Sequence, residues 1–226
     1  MGALVAESKT AGDCGGCSGG AWQATRDQER QIELELAKNQ PLVSEQQPLW
    51  SLVEEYCSEQ AAVYRQKAVQ LHQKYATIRR VRGDGNCFYR AFAFACLERI
   101  ASEKAKLDRF CLVTASWKER LIKLGFSAMT TEDFHDTFME LLSEVDKGMT
   151  MEELIARFNV QCNSDYVVAF MRLVTAGYLL ENSDSFQAFI DGDRSLKDYC
   201  EQEVEPMGRK CDHVCIAALT KALGKL

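Results

Sequence analysis

The sequence predicts a mostly helical α+β domain in which one short strand feeds a glycine-punctuated turn and then a helix that opens on a cysteine. Three observations carry this. Thr77-Ile78-Arg79-Arg80-Val81 is short and partly β-branched, the one stretch that reads as a strand. From Cys87 onward apolar residues recur at spacings of three and four, the period of a helix with one buried face. The chain has 226 residues, 46% of them hydrophobic, and a chain of that length buries about 70% of the surface its unfolded form exposes, enough for a core without disulfide staples.

Taken in order, residues 1–20 hold six glycines and no aromatic, too little apolar surface to offset the entropy of ordering them, so a disordered tail is expected. Thr25-x-x-Gln28 reads as a capping box. The helix after it has a thin apolar stripe, Ile32 and Leu36, and stops at Asn39 and Pro41. A second helical stretch opens near Ser51-x-x-Glu54 and runs to about Lys74, with a break near Ser58. After the strand and the cysteine helix, Leu107, Phe110, Cys111, Thr114, Trp117 and Leu121 share one face of a helix ended by Gly125. Phe134, Phe138, Leu141 and Val145 mark the next, and Thr150-x-x-Glu153 caps another. Ser164 and Asp165 open a longer one carrying Tyr166, Phe170, Leu173 and Val174, and a final helix spans 212–223. The expected division is a tail over 1–24, a helical arm over 25–48 and a catalytic-type domain over 49–226.

Composition excludes several classes. Lys and Arg total 27 against 33 Asp and Glu, a net charge of −6. Broad phosphate-backbone binding needs clustered cations to displace counterions, so nucleic acid is not expected as a partner. No apolar run approaches the roughly 18 residues of a membrane span, and the start lacks the basic-then-apolar pattern of a signal peptide. Ten cysteines fall below the roughly 8–10% that marks a disulfide scaffold. Free thiols, a cytoplasmic or nuclear location and a monomer are expected.

One segment carries chemistry: Gly83-Asp84-Gly85-Asn86-Cys87-Phe88-Tyr89-Arg90-Ala91-Phe92. Open backbone N–H groups and the positive end of the helix dipole stabilise a thiolate, the reactive form of cysteine. The same donors suit the oxyanion of acyl transfer, and Gly85 lets the backbone come close to it. On the helix behind, Phe88, Ala91, Phe92, Ala95 and Cys96 are expected to form the buried face. A buried structural cysteine beside an ordinary turn fits the bare strand-turn-helix pattern equally well.

The full string resembles the nucleophile loop of the ovarian-tumour (OTU) cysteine deubiquitinases, and its flanks resemble the otubain branch. The likeness runs from about Arg26 and includes Asn39-x-Pro41-Leu42-Val43-Ser44-Glu45, Thr131-Glu132-Asp133-Phe134-His135-x-Thr137-Phe138-Met139, Ser164-Asp165-Tyr166 and the run from Glu201 through Glu203 and Glu205 to Met207. The resemblance implies a papain-like fold and hydrolysis of the isopeptide bond between ubiquitin and lysine. It makes Cys87 the nucleophile, and Asp84, Gly85, Asn86 and Cys87 the oxyanion-hole loop, Asp84 acting through loop shape and its backbone N–H. It implies ubiquitin, ubiquitin chains and ubiquitin-conjugating enzymes as partners, with Ile32 and Leu36 as binding candidates, and no cofactor.

Such a protease needs a base, usually histidine. His72, His135 and His213 are the three histidines, and each reads as a surface or helix-end residue. In the otubain pattern the catalytic histidine lies in a His-Tyr-Asp string beyond the helix that ends here at Leu223. The expectation is therefore a chain without its carboxyl-terminal sheet and base, a hydrolase with impaired turnover, or a non-catalytic binder that inhibits ubiquitin-chain synthesis. Cys14-x-x-Cys17 and Cys211-x-His213-x-Cys215 supply soft zinc ligands, but neither has the spacing of a known finger, and no metal is expected. Seven Lys or Arg against Asp84 between Arg65 and Arg90, and the acidic Glu201, Glu203 and Glu205, read first as solvated faces.

Overall fold

The computed structural model describes residues 38–224 except Asp191 and Asp193, together with Gln28, Gln31 and Glu35. The expected tail, the Thr25 cap, and Ile32 and Leu36 lie outside the described residues. Gln28, Gln31, Glu35, Lys38 and Asn39 are helical. The packed body begins at Leu42 and Val43, both 1% exposed, so the last residues of the expected arm belong to the core.

Two strands, β1 (Gln47–Pro48) and β2 (Thr77–Ile78), pair antiparallel with Gln47 opposite Ile78 and Pro48 opposite Thr77. An isolated bridge from Val43 to Val81 extends the pairing. The expected strand therefore has a partner, which sequence reading missed because it is two residues long and holds a proline. Pro48 has no N–H to donate, which confines it to a sheet edge. Asn159 acts as a further strand: its side chain accepts from the Val43 N–H at 3.1 Å and donates to the Val43 carbonyl at 2.9 Å.

The helices are α1 (Trp50–Glu55), α2 (Ala62–His72), α3 (Cys87–Ile100), α4 (Lys104–Lys123), α5 (Ala128–Asp146), α6 (Met151–Asn159), α7 (Gln161–Glu181), α8 (Ser183–Phe186), α9 (Leu196–Tyr199) and α10 (His213–Ala222), with a π-helical turn over Cys200–Val204. The expected break near Ser58 separates α1 from α2. Leu49, not a polar side chain, precedes α1, so the Ser51 box forms no cap. The Thr150–Glu153 capping box is present in both directions. No helix among the described residues is long and apolar enough to cross a membrane.

α7 is the central element, packed against α3, α4, α5, α6, α9, α10 and the π turn. A helix surrounded on all sides buries residues all round rather than on one stripe, and Val167, Val168, Phe170, Met171, Val174, Ala176 and Leu179 are all buried. It begins at Gln161, with only Val160 between it and α6. Ser164 is therefore an interior position, fully buried, and not the expected opening. Where α4 crosses, Gly177 takes the place of a side chain: a Cβ there would lie 2.7 Å from Leu121 Cδ2 and 3.2 Å from Trp117 Cζ3.

Gly177→Ala weighs a helix-propensity gain of about 1 kcal/mol against overpacking of about 1–3 kcal/mol in a site whose neighbours are fully buried. A net loss of about 1 kcal/mol is expected, read as a lower urea midpoint at unchanged slope.

Candidate active site

The candidate nucleophile sits where β2's continuation meets α3. Cys87 is the first residue of α3, half-buried, with its thiol free. Asn86 precedes it, but its side chain does not cap the helix. The Asn86 amide oxygen instead accepts from the Gly208 N–H at 2.9 Å and from Arg172 Nη2 at 2.8 Å. The first N–H groups of a helix have no partner within it. Among the described residues the N–H groups of Gly85 and Cys87 have no acceptor, and both lie beside the thiol in sequence.

Two buried arginines hold this loop. Arg172 of α7 is fully buried. Besides Asn86, it donates to the carbonyls of Gly85 at 3.2 Å, Val204 at 2.9 Å and Arg209 at 2.8 Å, and its guanidinium lies 4.4 Å from the centre of the Tyr89 ring. Burial pulls its pKa down from the ordinary arginine value. A guanidinium nevertheless stays protonated in proteins, so these carbonyl dipoles and the ring face are what compensate its charge. Arg90 of α3 is also fully buried; its Nη1 donates to Asp84 Oδ1 at 3.0 Å, its Nη2 lies 2.8 Å from Asp84 Oδ2, and its Nε donates to Ser164 Oγ at 2.8 Å.

Asp84 thus faces Arg90 with its carboxylate and closes an Asx turn by accepting the Asn86 N–H at 2.9 Å. Its own N–H donates to the Arg82 carbonyl at 3.0 Å. The sequence expectation gave that N–H to an oxyanion; in the structure it is engaged elsewhere, and the open donors are those of Gly85 and Cys87. Gly85 has φ +78°, and a Cβ on it would stand 1.8 Å from the Gly208 carbonyl oxygen. Two backbone segments therefore touch here, the nucleophile loop and the strap over residues 205–211.

The buried face of α3 differs from the expected one. Tyr89, Arg90, Ala93, Phe94, Cys96, Leu97 and Ile100 are buried, while Phe88 and Phe92 are half-buried and Ala95 is exposed. Sequence reading turned the helix so that Arg90 faced water. The fold buries that charge because Asp84 and Ser164 meet it.

None of the histidines is hydrogen-bonded to Cys87 among the described residues. His72 is exposed, edge-on to Trp50 at 5.4 Å. His213 is exposed at the start of α10. His135 departs from expectation: it is buried, with Nδ1 2.7 Å from Asp136 Oδ1 and its ring edge-on to Phe170. No group of three or more His, Cys, Asp or Glu among the described residues could hold a metal ion. Cys14 and Cys17 lie outside them. Burial pushes the thiols of Cys96 and Cys200 up to about 12, which makes them inert as nucleophiles.

Gly85→Ala forces a left-handed conformation on a side chain, at about 1–2 kcal/mol, and drives it into backbone that cannot rotate away. A loss above 2 kcal/mol is expected, against less than about 0.5 kcal/mol for Gly83→Ala, which has nothing within 4 Å of its Cβ position. Urea unfolding of the two variants side by side checks this. Arg90→Met leaves the Asp84 carboxylate partly buried and unpaired, and a loss of about 3–5 kcal/mol is expected, with Arg90→Met/Asp84→Asn recovering part of it.

A family profile described as Peptidase C65 Otubain matches residues 35–225. Ubiquitin thioesterase OTUB1 of Homo sapiens is 47% identical over 201 residues, which cover 89% of this chain and 74% of the relative. OVARIAN TUMOR DOMAIN-containing deubiquitinating enzyme 1 of Arabidopsis thaliana is 37% identical over 229 residues, 96% of this chain and 74% of that one. Among solved structures, the complex of h/ceOTUB1 with ubiquitin aldehyde and UBCH5B~Ub superposes with a TM-score of 0.86 at 36% identity, covering 90% of this chain and 80% of that one. The complex of ceOTUB1 with ubiquitin aldehyde and UBC13~Ub gives 0.83 at 38%, covering 87% and 79%. With a helical body, a small sheet and a cysteine at the amino end of its α3 helix, the chain has the papain-like α/β fold of these proteins and belongs to the otubain family, Peptidase C65, of the OTU deubiquitinases.

Proposed function

We propose that this chain is a cysteine-type deubiquitinase that takes the isopeptide bond between ubiquitin's carboxyl end and a lysine. The observation that carries the reading is Cys87 at the uncapped start of α3, in a loop fixed by Arg172 and Arg90. The Cys87 sulfur attacks the isopeptide carbonyl, and the carbonyl oxygen takes the negative charge in a tetrahedral intermediate. The open N–H groups of Gly85 and Cys87 are the donors for that oxyanion. Collapse expels the lysine amine, which leaves with a proton, and water then hydrolyses the thioester. Asp84 works through the loop: its carboxylate sets the Asx turn and binds Arg90, and it touches no reacting atom.

His72, His135 and His213 make no hydrogen bond to Cys87, so no histidine is in place to take its proton. A general base contributes about 10²–10⁴-fold in rate. Thiol acylation should therefore be easier to observe than turnover. The two similar solved structures are complexes with ubiquitin aldehyde and ubiquitin-charged conjugating enzymes, which favours a second reading as a binder of such enzymes through the segment that holds Gln28, Gln31, Ile32, Glu35 and Leu36.

A ubiquitin probe with a thiol-reactive carboxyl end is expected to label the wild type and Cys57→Ser, and not Cys87→Ala; labelling that survives Cys87→Ala removes the nucleophile assignment. Di-ubiquitin turnover should be unchanged in His135→Ala and His213→Ala beyond any loss of folded protein. A tenfold or greater drop in either, with thermal stability intact, identifies that histidine as the base. For the binding reading, removing residues 1–37 should abolish inhibition of ubiquitin-chain synthesis that Cys87→Ala retains.

A further inference from the structure

The small sheet is closed on one side and open on the other. On the closed side the Leu49 N–H donates to the Ala76 carbonyl at 2.9 Å, the Ser44 N–H to the Arg80 carbonyl at 2.8 Å and the Arg82 N–H to the Leu42 carbonyl at 3.2 Å, while Ile78 stands opposite Gln47. Main-chain groups of successive residues in an extended strand point to alternate edges. Those of Thr77, Arg79 and Val81 therefore point away from β1, and none has a hydrogen-bond partner among the described residues. A groove runs along this open edge, walled by the same three residues and, on α3, by Ala91, Ala95 and Glu98. Ala91 is half-buried and Ala95 exposed, although both belong to the stripe that helical spacing marks as core. Neither has a side chain beyond Cβ to fill the groove. Arg79 lies over the Phe94 ring at 5.2 Å and places Nη2 2.8 Å from Glu98 Oε1.

We infer that this edge is a self-association surface, to which a second copy of the chain adds its own strand antiparallel. An unpaired strand edge is a template for another strand, and an antiparallel edge is its own complement about a two-fold axis. Thr77 of one copy meets Arg79 of the other and the reverse, and each facing pair exchanges two main-chain bonds. The sheet then runs through four strands, with the two β2 strands at its centre and the uncovered alanines of α3 beneath them. Charge selects a second copy as the occupant. Arg79 opposite Arg79 would set like charges against each other, which is destabilising; the register of Thr77 against Arg79 keeps the guanidinium groups apart. Each copy brings one cation and one anion to the groove, and the two-fold turns these ion pairs head to tail, so that they attract.

Sedimentation equilibrium of the full chain in dithiothreitol, which excludes disulfide dimers, reads the association. The mass should rise with concentration from 25.5 kDa towards twice that value and stop there, because a two-fold interface closes. Thr77→Pro keeps every bond to β1, since the Thr77 N–H points outward and proline is tolerated at the first residue of a strand. It removes one main-chain bond from each copy, and self-association should weaken by about tenfold. Ala95→Arg fills the groove from an exposed position and should leave only monomer, with an unchanged circular dichroism spectrum. Tyr64→Ala, at an exposed aromatic that does not line the groove, should associate like the wild type. Hydrogen exchange at the Arg79 amide, followed by NMR, should slow as the dimer fills. A wild-type chain that remains monomeric at every concentration overturns the proposal, and slow exchange at Arg79 in that monomer would assign the edge to a segment of the same chain. A dimer that survives both Thr77→Pro and Ala95→Arg, or that Tyr64→Ala abolishes, places the interface elsewhere and overturns it too.

Discussion

The site depends on a positive charge with no carboxylate partner. Arg172 lies fully buried beneath the nucleophile loop and spends its donors on one side-chain amide and three backbone carbonyls. Desolvating a guanidinium costs several kcal/mol, and the dipoles that offset it come from two segments far apart in sequence. Each segment is thereby fixed relative to the other. Arg90, by contrast paired with the Asp84 carboxylate and with Ser164, holds the loop as well. The loop between them has little freedom left, so the open N–H groups at the start of α3 are preorganised.

α7 makes this possible by supplying both Ser164 and Arg172 from a single helix that is buried on every side. Its position is in turn set by Gly177, which lets α4 approach. The cysteines sort accordingly. Cys96 and Cys200 are sealed in the core and unreactive, Cys87 lies at a helix start where donors are open, and Cys211 with Cys215 flank a helix cap at the end of the strap.

Helix spacing read from the sequence locates α4, α5, α6 and α10 well, because each buries a stripe at period 3.6 and several carry their own caps. The buried face of α3 was misplaced because a charge at position 90 reads as solvent-facing until its partners at 84 and 164 are known. β1 and the Asn159 bridge to Val43 escaped for a related reason: pairing made by two residues, a proline and a side-chain amide leaves no periodic trace. The glycine turn and a cysteine at a helix start were legible from the sequence, while the nucleophile role of Cys87 rested on the resemblance of the full string. Arg172 and Gly208 were not, since each acts only through residues far away in sequence.

The contact between Asn86 and Gly208 joins positions 122 apart, which imposes an order on biosynthesis. At about 5–20 residues per second, the thiol of Cys87 leaves the ribosome roughly 6–25 s before the strap that completes its surroundings. During that interval the helix start has no strap to rest on and Arg172 lacks two of its acceptors. A nascent chain therefore carries Cys87 in an unassembled setting, and its surroundings are completed late, as one event, when the last third of the polypeptide docks.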